Sequence, residues 1–168
     1  MRRLQSFPSK GGANSMARWW QVRNPLRLAY NYALVALSRH CKLISVRNWL
    51  LRRTGMKVGR GVSIAPDVSF DFFFPDKIEI GEGAVIGYQS LIVAHEFLVG
   101  EYRVGPTVIG PYALVGARAV VLAGVRIGEQ AQVGSMSLVH SDIPPLCMAA
   151  GVPAKVVKKL AGRPHPGC

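Results

Sequence analysis

The first sixty residues of this 168-residue chain contain no aspartate or glutamate, although they carry thirteen of its twenty-one lysines and arginines. Residues 61–168 hold eight basic and nine acidic side chains, so the formal excess of +12 belongs to the N-terminal part. Such an imbalance bears on partners and not on fold. Cysteine is scarce. Cys41, Cys147 and Cys168 are an odd number without CxxC spacing, which excludes a disulfide framework and fits reduced thiols in a cytosolic protein. Long apolar runs are missing as well. The uncharged stretch from Leu28 to Ser38 is eleven residues long, well short of the ~20 that a membrane-spanning helix needs. The N-terminus lacks the apolar core of a secretory signal.

What is present is a period of six. Val58 and Ile64, then Ile80, Ile86 and Ile92, then Ile109, Val115, Val121, Ile127, Val133 and Val139 stand six apart within each block. Seven of the eleven are followed by glycine, and nine carry a Val, Ala or Ser four places on. Six fits neither the helical 3.6 nor the alternation of a long strand. It suits a short strand and a tight corner, repeated, with one branched residue per repeat pointing inward and stacking on its equivalent roughly 4.8 Å away. Glycine is expected to relax the corner dihedrals, and the small residue to fit inside the bend. This predicts a parallel β-helix, mainly β, whose coils bury their interior only against one another.

Four segments follow. Residues 1–16, rich in Ser, Gly, Lys and Asn, read as a flexible tail. Residues 17–55 read as a basic amphipathic helical segment. One helix starts at Asn24-Pro25 with Leu26, Ala29, Tyr30, Ala33, Leu34 and Leu37 on its apolar face. A second runs from about Leu43 to Arg53, with Ile44, Trp49 and Leu50 inward, and stops at Gly55. Residues 56–146 form the β-helix. Its repeat slips at Asp71–Asp76 and is broken by an excursion over Glu96–Thr107. Residues 147–168 close the end, with Lys155 to Leu160 as a terminal helix.

The basic arm has two readings. It packs its apolar face on the β-helix end and exposes Arg and Lys, or it lies on an anionic membrane with Trp19 and Trp20 at headgroup level. Nucleic acid is not expected, since the charge comes without a recognition motif.

Three stretches carry a resemblance. Ile109-Gly110-Pro111-Tyr112-Ala113-Leu114-Val115-Gly116-Ala117, then Val133-Gly134-Ser135 through Asp142-Ile143-Pro144-Pro145, then Ala150-Gly151-Val152-Pro153-Ala154-Lys155-Val156-Val157 occur in this order. With the repeat, over roughly Gly55 to Lys159, they resemble the hexapeptide-repeat acyltransferases, especially maltose, galactoside and related sugar O-acetyltransferases. The resemblance implies a left-handed coil, which crossover rules alone would not give. It also implies a bacterial, cytoplasmic homotrimer using acetyl-CoA, with no metal.

By that resemblance His95 is the general base. It takes a proton from an acceptor hydroxyl or amine, a task suited to a group titrating near operating pH. Glu96 is a candidate to orient its ring. Asp71, Tyr88 and Tyr102 are candidates for the acceptor. Leu114, Ala117, Ser135, His140, Ser141, Lys155 and Lys158 match donor-binding positions, the two lysines toward phosphate. Leu114 stands where the family often has Trp, and His140-Ser141 replaces a Thr-Lys pair. These departures leave open a non-catalytic scaffold, a protein of another class. A carbonic-anhydrase-like zinc site would need three histidines from two neighbouring subunits. Here His95 and His140 have no close partner, and His40 and His165 lie outside the coils.

Overall fold

The structure is a computed structural model that describes residues 2–9 and 14–162. Strand β1 (Gln5–Pro8) comes first, then the helical turn α1 (Trp19–Val22) and two helices, α2 (Pro25–His40) and α3 (Ile44–Arg53). Asn24 caps α2, its side chain accepting from the amides of Leu26 and Arg27, with Pro25 at the first helical position.

Four coils follow, each of three short strands. They are β2 (Lys57–Val58), β3 (Ser63–Ile64) and β4 (Ser69–Phe70), then β5 (Ile78–Ile80), β6 (Val85–Ile86) and β7 (Leu91–Ile92). The hairpin β8 (His95–Phe97) and β9 (Glu101–Val104) interrupts them. Then come β10 (Thr107–Ile109), β11 (Leu114–Val115) and β12 (Val120–Val121), and β13 (Arg126–Ile127), β14 (Gln132–Val133) and β15 (Leu138–Val139). Equivalent strands of successive coils pair in parallel, so the helix has three faces: β2-β5-β10-β13, β3-β6-β11-β14 and β4-β7-β12-β15.

Register residues pair with register residues throughout, Ile80 with Ile109, Ile86 with Val115, and Ile92 with Val121. Phe70 fills the place six beyond Ile64, giving three inward residues to every coil, none more than 8% exposed.

The glycines serve a different purpose from the one expected. A Cβ on Gly81, Gly116 or Gly128 would lie 2.5, 2.5 or 2.3 Å from the backbone nitrogen of Pro111, Ser135 or Pro145 on the adjoining coil. They are required by close approach of one coil to the next. The left-handed dihedral falls three places after nine of the eleven register residues instead: Asp67, Gln89, Tyr112, Arg118, Gln130 and Met136 have φ between 53° and 59°, and Gly61, Gly83 and Gly124 between 65° and 77°.

The two helices close the open end, but with the face opposite to the expected one. Amides of the first coil donate forward to the second (Gly59 to Ile80 O, Ser63 to Ala84 O, Ser69 to Ser90 O). Its carbonyls therefore face the end, and buried carbonyls need donors. Arg47 reaches Ile64 O, Asn48 Nδ2 donates to Val62 O at 2.8 Å, and Arg52 Nε to Val58 O at 2.8 Å. Asn31 of α2 donates to Phe72 O at 3.1 Å. The inward residues are accordingly Leu28, Asn31, Val35 and Ser38 of α2, and Arg47, Asn48 and Leu51 of α3. Leu26, Tyr30, Leu37, Ile44 and Trp49, read from the sequence as inward, are exposed.

Both terminal expectations also change. Within residues 1–16, β1 joins the excursion as an antiparallel third strand (order β1-β9-β8), so the described part is not a free tail. Arg2 ion-pairs with Glu96, and Arg3 with Asp142 at 2.9 Å. The Arg3 amide donates to Gly124 O at 3.0 Å. Gly105 and Gly124 make room for this segment, since a Cβ on them would lie 2.1 Å from Arg3 O and 2.8 Å from Arg3 N. At the other end no helix forms over Lys155 to Leu160. Strand β16 (Cys147–Gly151) runs parallel to β14, and β17 (Ala154–Lys159) turns back antiparallel on β16. Residues 163–168, with His165 and Cys168, lie outside the described residues.

Candidate active site

Asp71 and His95 leave the same corner of the β-helix one coil apart. Asp71 follows β4, and His95 opens β8 just past β7, which pairs with β4. The Asp71 side chain is 0% exposed. Its Oδ1 accepts from the amides of Phe73 at 2.8 Å and Phe74 at 3.0 Å, and its Oδ2 from the amide of Ala94 at 2.8 Å. The fourth contact is Nδ1 of His95, to Oδ2. With three backbone N–H groups already donating to it, the carboxylate accepts from His95 as well, which puts the ring proton on Nδ1. Nε2 makes no hydrogen bond among the described residues. Aromatic rings fix the imidazole plane: Phe97, Phe73 and Phe74 stand 4.8, 4.9 and 5.7 Å from it by centroid. The His95 side chain is 15% exposed.

Two candidate roles are thereby corrected. Asp71 is sealed from solvent and fully engaged, so it holds the histidine and does not meet an acceptor. Glu96 points to Arg2 and does not touch the ring. Sequence reasoning named Asp71 but not its task, because a carboxylate twenty-four residues away reaches Nδ1 only through the stacking of coils. It also missed Phe73 and Phe97 as the walls of the ring.

Tyr102 is stacked on Phe7 at 5.0 Å and borders Phe97 at 6.3 Å. It belongs to the hairpin packing around the site. Tyr88 lies at the preceding corner, with Ala117 and Ser135 below it. Tyr88 O accepts from the Arg118 amide and Ala117 O from the Met136 amide, both at 2.8 Å.

The candidate donor residues fall into two groups. Leu114 points outward on the second face in one row with Val85, Gln132, Met148 and Lys158. Lys155 lies on the same β17, opposite Ala150, and Ala117 and Ser135 edge this face. His140 and Ser141 follow β15 at the corner below His95. Within one chain, the third face separates the two groups.

Beside them, Asp142 is held by Arg3 and by the Arg126 amide at 2.7 Å. Burial alone would raise its pKa, but the hydrogen bonds from Arg3 and Arg126 and the Arg3 charge outweigh that and bring it below 3.8. Among the described residues, no group of three or more His, Cys, Asp or Glu is arranged to hold a metal ion.

Stacked hexapeptide coils with a carboxylate-held histidine at the root of a protruding hairpin define a β-helical protein of the hexapeptide-repeat type. No family model matches the chain. Over 158 residues, 94% of this chain and 91% of its relative, it is 37% identical to YvoF of Bacillus subtilis, which its name places provisionally among acetyltransferases. Galactoside O-acetyltransferase of Escherichia coli is 34% identical over 89 residues, 52% of this chain and 44% of that protein. A maltose O-acetyltransferase structure from Clostridium difficile superposes with a TM-score of 0.64 at 22% identity, covering 83% of this chain and 90% of that one. A galactoside acetyltransferase in complex with coenzyme A gives 0.63 at 23% identity, with 82% of each covered. These two share the left-handed β-helix fold. The chain belongs to the hexapeptide-repeat acetyltransferases.

Proposed function

We propose that this protein transfers the acetyl group of acetyl-CoA to a hydroxyl or amine of a small acceptor of the sugar class, with His95 as general base. The observation that carries the reading is the Asp71–His95 contact. With Nδ1 engaged by the carboxylate, Nε2 of the neutral ring is the nitrogen left to accept the acceptor's proton as its oxygen or nitrogen attacks the thioester carbon. Asp71 keeps the ring in the right tautomer and steadies the imidazolium that forms, as the carboxylate of a catalytic triad does. The proton then passes from Nε2 to the departing thiolate. A scaffold with no chemistry would have no use for a sealed carboxylate aimed at one ring nitrogen.

The donor is assigned to the second face and its corner at Ala117 and Ser135, where backbone is exposed along the coils. Lys155 and Lys158 lie at the far end for phosphate, and His140 and Ser141 at the corner below His95. The separation of the two groups within one chain favours a site shared between chains. So do the outward apolar rows, Val85 and Leu114 on the second face and Leu91, Val120 and Leu138 on the third. The first face is charged, with Lys57, Glu79 and Arg126 in its row. A homotrimer with the second and third faces turned inward is the assembly this pattern fits.

The test is release of free thiol from acetyl-CoA by the purified protein across a panel of sugars, amino sugars, amino acids and aromatic alcohols. Release stimulated by a sugar supports the proposal. Release stimulated only by another class moves the acceptor, and none with any acceptor removes the activity.

A further inference from the structure

We propose that the outward face of α2 and α3 docks on an anionic lipid surface. The observation is an inverted amphipathic helix. On α2 the buried stripe Leu28-Asn31-Val35-Ser38 meets the β-helix end. The stripe Leu26-Ala29-Tyr30-Ala33-Leu37 is centred roughly 160° around the helix axis from it. Leu26 and Leu37 are 82% and 60% exposed. On α3 the outward side carries Val46 and Trp49, 40% and 54% exposed, with Arg53 over the tryptophan ring. Isolated exposed apolar side chains are ordinary, whereas a contiguous set on neighbouring elements marks an interaction site.

The charge identifies the occupant. Helices α2 and α3 and the turn between them contain no carboxylate and expose Arg39, Lys42 and Arg53, which would set like against like if two copies met through this face. The same charge is complementary to anionic headgroups. Lys42 lies in the α2–α3 turn and Arg53 over the Trp49 ring, both exposed. Carboxylates that approach from the coils are few: Asp76 is paired with Arg23 at 2.6 Å, Glu79 with Lys57 at 3.4 Å, and Asp67 lies beside the end of α2, its amide donating to Arg39 O. No helix among the described residues is long and apolar enough to cross a membrane. The geometry is that of an element lying in the headgroup plane, apolar side down and cations at its margins. The face points away from the coils, so it leaves their sides and the His95 corner free, and the proposal does not depend on acetyl transfer.

The experiment is sedimentation of the full chain with vesicles of phosphatidylcholine, with and without about one third phosphatidylglycerol, across a salt series, with tryptophan emission read alongside. Expected at low salt is at least tenfold more bound protein on the anionic vesicles and a blue-shifted emission. Binding should weaken as salt shortens the screening length. Leu37→Glu with Trp49→Glu, both at exposed positions, should abolish binding with an unchanged circular dichroism spectrum. Equal binding to both vesicles, or no binding, overturns the proposal. So does full binding by the double variant. If the parent self-associates end to end without lipid and Leu37→Glu dissolves that association, the face belongs to a second copy and the lipid assignment is wrong.

Discussion

The carboxylate of Asp71 and Nδ1 of His95 meet across one coil of the β-helix, twenty-four residues apart in the chain. Three backbone amides anchor the carboxylate from Phe73, Phe74 and Ala94, so the pair is part of the coil stack and not a loop contact. A ring held this way loses little freedom when substrate arrives, and misplacement of such a group costs roughly 10²-fold in rate.

Replacing His95 with alanine should lower kcat by roughly 10²–10⁴, the usual contribution of a general base. The circular dichroism spectrum should be unchanged, since the side chain lies outside the coil interior. Turnover within about threefold of the parent would take His95 out of the mechanism.

Asp71→Asn should lower kcat by roughly 10–10²-fold with little change in KM for acetyl-CoA, because the amide holds the ring but mis-sets its tautomer. In a His95→Ala background the same change should cost almost nothing further, since groups that act as a unit are not additive. An undiminished second penalty would show that Asp71 acts through something other than the imidazole.

Light scattering should give three times the 18.2 kDa chain mass. Mixing inactive His95→Ala chains with inactive Ala117→Trp chains, then unfolding and refolding them together, should restore part of the activity, because some sites then combine intact halves. No recovery in mixed trimers would place both halves of the site on one chain.

The Arg3–Asp142 clip has a pH signature. Asp142 ionises below its ordinary value in the folded protein, so the clip contributes fully above about pH 4 and is lost as pH falls through the depressed value. For an exposed pair the contribution is about 0.2–1 kcal/mol. Asp142→Asn should therefore lower the thermal midpoint slightly at pH 7 and by less at pH 2.5. An equal shift at both pH values would mean that charge is irrelevant there.

Gly116→Ala should destabilise the fold by roughly 1–3 kcal/mol, read as a fall of several degrees in thermal midpoint. The added Cβ would lie 2.5 Å from the Ser135 nitrogen. A neutral result would show that the coils can separate at that corner.

The coils were legible because each repeat specifies itself: a branched residue inward, a glycine beside the next coil, a small residue in the bend. The excursion was legible for the same reason, as an interruption of a regular period, and His95 stands at its root. What failed depends on partners far away in the chain. The buried face of α2 is not its most apolar one, because the first coil ends in carbonyls that only donors such as Asn31, Asn48 and Arg47 satisfy. Gln5–Pro8 has four exposed residues and no alternation, so nothing local marks it as a strand, and only β9 makes it one. Asp71 read as an acceptor ligand because two of its amide donors come from a turn of phenylalanines that the period does not describe, and the third, Ala94, from the next coil.

The reversal from β16 to β17 limits how the molecule can grow. A stack of parallel coils is open to addition of another at either end, and unpaired strand edges invite association. Here the last rung runs antiparallel and carries Lys155, Lys158 and Lys159, all exposed, so a second molecule's parallel coil finds neither a matching direction nor a neutral edge. The first coil is closed by α2 and α3. Coil-on-coil stacking along the axis is therefore disfavoured at both ends, which leaves the sides of the coils as the surfaces free for contact.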